Sequence, residues 1–283
     1  MAPRGPPWEL PNLLDYRAAL VQAVREGPRA LTELNLKTIW DYRPTAALMN
    51  FLSSDPNVGG NEDWQMVRPL GEGGFGHVGL WQVVRDDGSV ADEIAIKQGH
   101  RIPGHDFDSN DHRGLAKEAV LQHQLNSRNC QNIVHLRRFK FYRGEQKYRF
   151  FLEYCPYGDL RRLRARYRAK ASRIPELFAW HLFHSLAQAI SAMQGPWSHF
   201  ITGEAYPKDY HMLHMDLKHD NVFLGYERPS NDAQDETFLA SNYPTIKVGD
   251  FGLAVITGPG DADNPTGLWA TGTPDYMPPV SSI

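Results

Sequence analysis

The sequence has few of the features that mark secreted, membrane-bound or strongly charged proteins. Its 283 residues contain only two cysteines, Cys130 and Cys155, which are too few for a disulfide framework. No apolar run approaches the ~18 residues of a spanning helix, and no apolar segment of a secretion signal follows the N-terminus. The net charge of -3 gives no reason to expect nucleic acid or a membrane as a partner. We therefore expect an intracellular globular protein, cytoplasmic or nuclear.

The order of apolar patterns along the chain predicts an α+β protein in two parts. Apolar residues recur at helical spacing before residue 51, and residues 53–63 are rich in turn formers, so 1–63 is predicted as a helical extension and linker. Residues 64–283 form the main domain, with helices predicted at 113–126 and 175–193. The predicted strands are 65–70, 77–85, 93–97, 133–143 and 147–154.

A glycine-rich loop opens the main domain. Gly71, Gly73 and Gly76 fit the pattern G-x-G-x-x-G, and Val78 follows in a β-prone segment. Because a strand rather than a helix follows the third glycine, the pattern favours a hairpin that covers phosphates over a dinucleotide-binding turn. Glycine lets backbone N–H groups approach phosphate oxygens closely. A purely structural hairpin is the alternative reading of the loop alone.

Lys97 ends a strand in which alternation places Ile94 and Ile96 on one face and Ala95 and Lys97 on the other. An ammonium group on the loop's side of the sheet can neutralise phosphate charge. Glu118, on the predicted helix 113–126, is the candidate carboxylate that holds Lys97 in place. The alternatives are a solvent-facing lysine and a glutamate at the edge of the helix.

The most specific pattern lies in the last third of the sequence. His214, Asp216, Lys218 and Asn221 have H-x-D-x-K-x-x-N spacing, and a β-prone stretch then leads to Asp-Phe-Gly beginning at Asp250. With the glycine-rich loop and its lysine in this order, the sequence resembles a protein kinase catalytic domain. The lysine after the aspartate and the later segment GTPDY resemble the serine/threonine class.

The resemblance implies a bilobal kinase fold, with an antiparallel-sheet N-lobe at about 64–154 and a mainly helical, incomplete C-lobe at about 155–283. It implies ATP and Mg²⁺ as cofactors and protein substrates that carry serine or threonine. The alternative function is a kinase-like module that binds a nucleotide or a partner without catalysis.

The family pattern also implies a role for each matching residue. Asp216 would orient the substrate hydroxyl and accept its proton, and Lys218 would stabilise the transferring group, with Thr273 beside them. Asn221 and Asp250 would hold Mg²⁺. The implied nucleotide site, with Leu152 as its gatekeeper, consists of Leu70, Gly71, Gly73, Gly76, Val78, Ala95, Lys97, Glu153 and Cys155.

Two residues near the catalytic aspartate receive a separate interpretation. His214 is predicted to be a packed structural residue rather than a zinc ligand. Met215 stands where most of the family has an arginine that pairs with a phosphorylated activation loop, and methionine cannot make that pair. We therefore expect that phosphorylation is not the main switch at the nearby threonines, Thr257, Thr266 and Thr271.

The end of the sequence departs from the family pattern. Val280 stands where the family usually has a glutamate, and the sequence stops three residues later. We expect a truncated product of low stability, in which apolar surface of the helix at 175–193 is exposed and Asp216 is weakly supported.

A basic run follows the last predicted strand. Its members are Arg161, Arg162, Arg164, Arg166, Arg168, Lys170 and Arg173. A solvated helix face is one interpretation, and a docking surface for an acidic substrate or partner is the other.

Overall fold

The computed structural model describes residues 46–56, 58–59, 62–73, 76–100, 117–142, 147–199, 202–227, 243–262, 264, 266–268 and 271–277. These residues belong to two compact units, one formed by Met1–Arg101 with Arg137–Tyr154 and the other by Ile102–Leu136 with Cys155–Ile283. The helical patterns predicted before residue 46 and the departure at Val280 lie outside the described residues. Within the described ranges, no helix is both long and apolar enough to cross a membrane.

The first unit is built on a five-stranded sheet in the order β1-β2-β3-β5-β4. The pairs β1–β2, β2–β3 and β3–β5 are antiparallel, and Val78 lies opposite Lys97. A short helix precedes the sheet. Together the elements are α1 (Ala46–Leu52), β1 (Trp64–Gly73), β2 (Gly76–Val84), β3 (Val90–His100), β4 (Leu136–Tyr142) and β5 (Lys147–Leu152). The sheet confirms the predicted α+β class.

Helix α1 is part of the core of the first unit. The Phe51 ring lies edge-on to the Trp81 ring, with centroids 5.1 Å apart. Ile94 and Ile96 are buried in the same cluster, which confirms the predicted alternation of β3. Gly79 leaves room for this packing, since a Cβ there would lie 2.7 Å from a methyl carbon of Leu52. A segment assigned from the sequence to an extension therefore covers one face of the sheet. The cluster consists of Leu48, Phe51, Leu52, Trp81, Ile94, Ile96 and Phe151.

A buried arginine on β5 fixes the chain after α1. Arg149 is 2% exposed, and its Nη2 donates to Ser54 Oγ at 2.7 Å. Its Nη1 donates to the carbonyls of Asp55 and Pro56, and its Nε donates to Gln98 Oε1 at 2.9 Å. A buried guanidinium is stable only when its donors are satisfied, as these are. The first residues of the predicted linker are thus bonded to the sheet.

The second unit combines helices with two small strand pairs. Helix α2 lies inside the predicted N-lobe range, yet its Leu121 and Leu125 pack with Phe251 in this unit. Ile133 and Val134, predicted to begin β4, instead lie beside Val248 of this unit, whose carbonyl accepts from the Val134 N–H and whose N–H donates to the Asn132 carbonyl. The elements are α2 (Lys117–Asn126), α3 (Leu160–Ala169), α4 (Glu176–Ala192), β6 (His211–Leu213) paired with β9 (Val255–Thr257), and β7 (Val222–Glu227) paired with β8 (Pro244–Val248).

Helices α3 and α4 each have one buried side and one exposed side. Five of the seven members of the basic run lie on α3, whose N-terminus is capped by Asp159, with Oδ1 accepting from the Arg162 N–H at 2.8 Å. Helix α4 begins within one residue of its prediction and buries Phe178. Its other side leaves Trp180 57% and Phe183 66% exposed, as expected for apolar surface on this helix.

Candidate active site

The H-x-D-x-K-x-x-N segment is held at both ends by short strands. It begins after β6, which pairs with β9, and ends where β7 pairs with β8. The Met212 N–H donates to the carbonyl of Met193 at the end of α4, at 2.8 Å. Short strand pairs need flanking support, and here the helix provides it. The loop between β6 and β7 therefore has a defined path.

Asp216 is the centre of a hydrogen-bonded group. It is 5% exposed, and its Oδ1 accepts from Thr273 Oγ1 at 2.6 Å. Lys218 Nζ lies 2.7 Å from Asp216 Oδ2 and also donates to Thr273 Oγ1 at 2.7 Å. Asn221 Nδ2 donates to the Asp216 carbonyl at 2.8 Å and to its Oδ2 at 3.1 Å. The structure thus brings together four predicted site residues that are up to 57 positions apart.

These partners decide the protonation state of Asp216. Burial raises the pKa of the Asp216 carboxyl, but hydrogen bonds from Lys218, Thr273 and Asn221 outweigh burial and hold the pKa below its ordinary value. The carboxylate is therefore ionised at neutral pH. An ionised carboxylate that accepts a hydrogen bond from a hydroxyl has the geometry of a general base.

His214 is packed, as predicted, and links Asp216 to the strand before Asp250. Its Nε2 donates to the Gly249 carbonyl at 3.0 Å, so its Nδ1 is the acceptor for the Asp216 N–H at 3.3 Å. The ring centroid lies 4.9 Å from that of Phe251. Burial lowers the pKa of His214 and prevails over the nearby carboxylates, so the ring is neutral. Protonation would place a second N–H against the Asp216 amide.

Asn221 and Asp250 are brought close by the β7–β8 pair. The Gly249 N–H donates to the Asn221 carbonyl at 3.0 Å, and Asp250 follows with a φ of 63°. A left-handed aspartate costs backbone energy, which is typical of functional sites. Because the Asn221 amide nitrogen bonds to Asp216, its oxygen is the atom suited to a metal. Carboxylate and amide oxygens fit Mg²⁺, so these two residues fit the metal that the family pattern implies.

Glu118 lies near Asp250. A Cβ on Gly252 would be 3.6 Å from Glu118 Oε2 and 3.7 Å from Asp250 Oδ1, so the two carboxylates flank this glycine. Glu118 is buried on α2. The pairing of Glu118 with Lys97 stays a prediction.

In the first unit, the sheet register groups the residues of the predicted nucleotide face. Val78 lies opposite Lys97, and Ala95 lies opposite Leu152, so these side chains share one face of the sheet. Lys97 is buried, with Nζ 5.7 Å from the centroid of the Phe150 ring. This face is opposite to the one that α1 covers.

The described glycines of the loop lie at the ends of β1 and β2. Gly73 pairs with Gly76, and Gly76 has a φ of 118°. A Cβ on Gly76 would lie 2.0 Å from the Gln98 carbonyl oxygen, so only glycine fits there. Leu70 and Gly71 precede them on β1, while Glu153 and Cys155 are half-buried after β5. Their contacts with a nucleotide stay predictions.

Three residues of the catalytic region were not predicted. Gly272 has a φ of 111°, and a Cβ there would lie 2.2 Å from the Met215 carbonyl oxygen. This close approach brings Thr273 to Asp216. Tyr276 and His219 share a hydrogen bond, and their rings meet edge to face with centroids 5.1 Å apart. The glycine in GTPDY was the one available signal.

A family model described as the protein kinase domain matches residues 64–280. The chain belongs to the protein kinase family. Protein kinases use ATP and a divalent metal ion, and their catalytic loop carries the aspartate and asparagine that Asp216 and Asn221 match here.

The chain is similar to several curated proteins. Aurora/IPL1-related protein kinase 2 of Caenorhabditis briggsae is 26% identical over 227 residues, which are 79% of this chain and 59% of the relative. Serine/threonine-protein kinase Aurora-2 of Arabidopsis thaliana is 26% identical over 217 residues, 77% of this chain and 59% of the relative. G2-specific protein kinase fin1 of Schizosaccharomyces pombe is 26% identical over 229 residues, 77% of this chain and 27% of the relative. The chain therefore spans only part of the length of these relatives.

The segment after Asp250 contains threonines at which phosphorylation was considered from the sequence. Thr257 is buried in β9, and its Oγ1 donates to Asp261 Oδ2 at 3.0 Å. A phosphate could not be added there without opening the strand. Met215 has a φ of 63°, so the backbone is left-handed although the residue is not glycine. That phosphorylation is not the main switch stays a prediction.

Proposed function

We propose that this chain transfers the γ-phosphoryl group of ATP to serine or threonine hydroxyls of protein substrates. The observation that carries the proposal is the Asp216 carboxylate, which is ionised and accepts a hydrogen bond from a threonine hydroxyl. A general base must lie within about 3 Å of the hydroxyl that it deprotonates. Thr273 demonstrates that this carboxylate can be approached by a hydroxyl group.

In the proposed reaction, Asp216 and Lys218 have different roles. The substrate oxygen bonds to the γ-phosphorus while the bond to the β,γ-bridging oxygen breaks, and the hydroxyl proton passes to Asp216. Lys218, 2.7 Å from Asp216, supplies positive charge where negative charge develops. Catalysis of this kind depends on positioning and charge neutralisation rather than on covalent chemistry with the protein.

Nucleotide binding belongs to the first unit in this proposal. Lys97 would neutralise nucleotide phosphates, held by Glu118, and Val78 and Ala95 would contact the base. Their common face on the sheet supports the proposal. Asn221 and Asp250 would hold Mg²⁺, which neutralises phosphate charge when bound.

The serine/threonine preference is supported by the bond between Lys218 and Thr273, since a lysine two positions after the aspartate resembles that class. The acidic partner predicted for the basic run is part of the same proposal, because Arg161, Arg164 and Arg168 are exposed on α3. The proposal also includes a cytoplasmic or nuclear location, because protein substrates and ATP are present in both compartments.

The test is phosphate transfer from Mg·ATP to a mixed serine/threonine peptide pool. Wild type should incorporate phosphate, and Asp216→Asn should not. Asp209→Asn is the matched control, since Asp209 is exposed in a turn before β6 and should retain activity. No incorporation by a folded wild-type sample that binds ATP would instead support the alternative, binding without turnover, and would refute the proposed reaction.

A further inference from the structure

Helix α3 and the residues after it concentrate positive charge. Seven arginine and lysine side chains lie between residues 161 and 173, whereas no acidic residue occurs between 160 and 175. The whole chain has a net charge of -3, so this is a local excess. The pKa of Arg166 is lowered by burial and, next, by the charge of Arg162. The cations therefore lie close enough to repel one another.

Three of these arginines share the exposed face of the helix. Arg161, Arg164 and Arg168 have the spacing i, i+3 and i+7, which places them on one side of an α-helix. The buried side is marked by Leu163, which packs with Phe178 and Val222. We call the exposed set Arg161, Arg164 and Arg168 the basic stripe. It spans about 10 Å along the helix at 1.5 Å per residue.

Among the described residues, Asp220 and Asp159 form ion pairs with arginines of this helix. Arg161 Nε lies 2.7 Å from Asp220 Oδ1, although 69% of the arginine side chain stays exposed. Asp159 caps the helix and lies 3.4 Å from Arg162. In the described part of the chain, neither Arg164 nor Arg168 has a hydrogen bond or an ion pair through its side chain. Two guanidinium groups of the stripe are therefore available to a ligand.

The stripe adjoins the catalytic loop. Asp220, the partner of Arg161, immediately precedes Asn221. His219, the residue before Asp220, shares a hydrogen bond with Tyr276, which lies three residues after Thr273. The segment that carries Thr273 and the first arginine of the stripe thus meet at the same short turn. A peptide whose hydroxyl reaches Asp216 would pass near this turn.

We propose that the basic stripe binds acidic side chains of the protein substrate, so that the kinase favours serines and threonines in aspartate- and glutamate-rich segments. The inference rests on the proposed function. Guanidinium groups bind carboxylates through paired N–H donors, which suits this choice of partner. An extended peptide rises about 3.3 Å per residue, so carboxylates about three residues apart match the length of the stripe.

The size of the effect follows from the exposure of the stripe. Each exposed ion pair contributes little by itself, and salt screens it. Two or three such pairs give an affinity gain of about tenfold, which should decline as ionic strength rises. The preference is therefore measurable but not absolute.

The experiment compares two fluorescent peptides with the same serine core, one flanked by glutamates and one by glutamines. Binding is measured by anisotropy without ATP, at low and high salt. Wild type should bind the glutamate peptide about tenfold more tightly. The double variant Arg164→Glu/Arg168→Glu should lose this preference, and Arg164→Gln/Arg168→Gln should lose most of it. Lys208→Glu, a single charge reversal at an exposed turn residue outside the stripe, is the control and should keep the preference.

A second readout separates this inference from the proposed function. With Mg·ATP, the ratio of kcat/KM for the two peptides should exceed one in wild type and approach one in the double variant. Phosphorylation of both peptides with equal Kd values would overturn the role of the stripe alone. A binding preference without phosphorylation of either peptide would overturn the substrate role together with the proposed function.

Discussion

The two units place their functional residues by different means. In the first unit, the positions of Val78, Ala95 and Lys97 follow from strand register, and an aromatic core on the opposite face supports the sheet. In the second unit, Asp216 and Lys218 are placed by hydrogen bonds between side chains. Register depends on many backbone bonds, whereas the side-chain group depends on a few atoms. We expect substitutions in the aromatic core of the first unit to lower stability, and substitutions in the hydrogen-bonded group of Asp216 and Lys218 to lower activity.

The largest expected effect is the removal of an aromatic ring from the first core. Phe51 is 2% exposed and packs against Trp81, so Phe51→Ala should lower the free energy of unfolding by about 3–5 kcal/mol, because the cavity cannot refill. Chemical denaturation followed by Trp fluorescence measures this loss. A change below about 1 kcal/mol would show that α1 is not part of the core.

Next comes the lysine of the catalytic group. Lys218→Met removes the cation beside Asp216 and should reduce kcat/KM on the order of a hundredfold, since one charge-stabilising donor contributes about that much. The denaturation midpoint should change little. An equal loss of stability would mean that the ion pair holds the second unit together, contrary to the comparison above. The exposed Lys208→Met serves as the control.

A smaller effect is expected from pH in the second unit. Burial lowers the pKa of His214, so the unfolded chain takes up a proton that the folded chain excludes. The stabilisation is complete above the ordinary histidine pKa of about 6.5 and is lost as pH falls below it, by at most about 1.4 kcal/mol per pH unit. His214→Asn should reduce the slope between pH 6.5 and 5. His123→Asn, on the exposed side of α2, should leave the slope unchanged.

The smallest expected effect is that of the same phenylalanine-to-alanine substitution at an exposed position. Phe183 is 66% exposed on α4, so Phe183→Ala should change the free energy of unfolding by less than about 0.5 kcal/mol. The same substitution thus costs much at residue 51 and little at residue 183. A loss above 2 kcal/mol at residue 183 would show that another surface covers this side of α4 in solution.

Local pattern accounts for what the sequence predicted well. Alternation over Glu93–Lys97 identified both faces of β3, because a strand has a period of two residues. Motif spacing identified Asp216, Lys218, Asn221 and Thr273, which the structure brings together. The resemblance to protein kinases was confirmed over residues 64–280.

The parts that were missed depend on residues distant in sequence. The attachment of α1 requires Gly79 and Arg149, neither of which is marked by any pattern near residue 50. Gly272 closely approaches Met215, and this contact between two distant segments leaves no periodic pattern of apolar residues in the sequence. Ile133 and Val134 looked like strand residues because they are apolar, yet they lie beside Val248, to which Val134 bonds, rather than extending β4.

The bonds of Arg149 also show that the folded first unit begins before the segment that matches the family model. The family match starts at residue 64, but the sheet it contains is covered by a helix that starts at Ala46. A fragment cut at residue 64 would leave Ile94, Ile96 and Trp81 facing water and would deprive a buried guanidinium of its acceptors. Such a fragment would expose an apolar face, so a form intended for purification should start at or before Ala46.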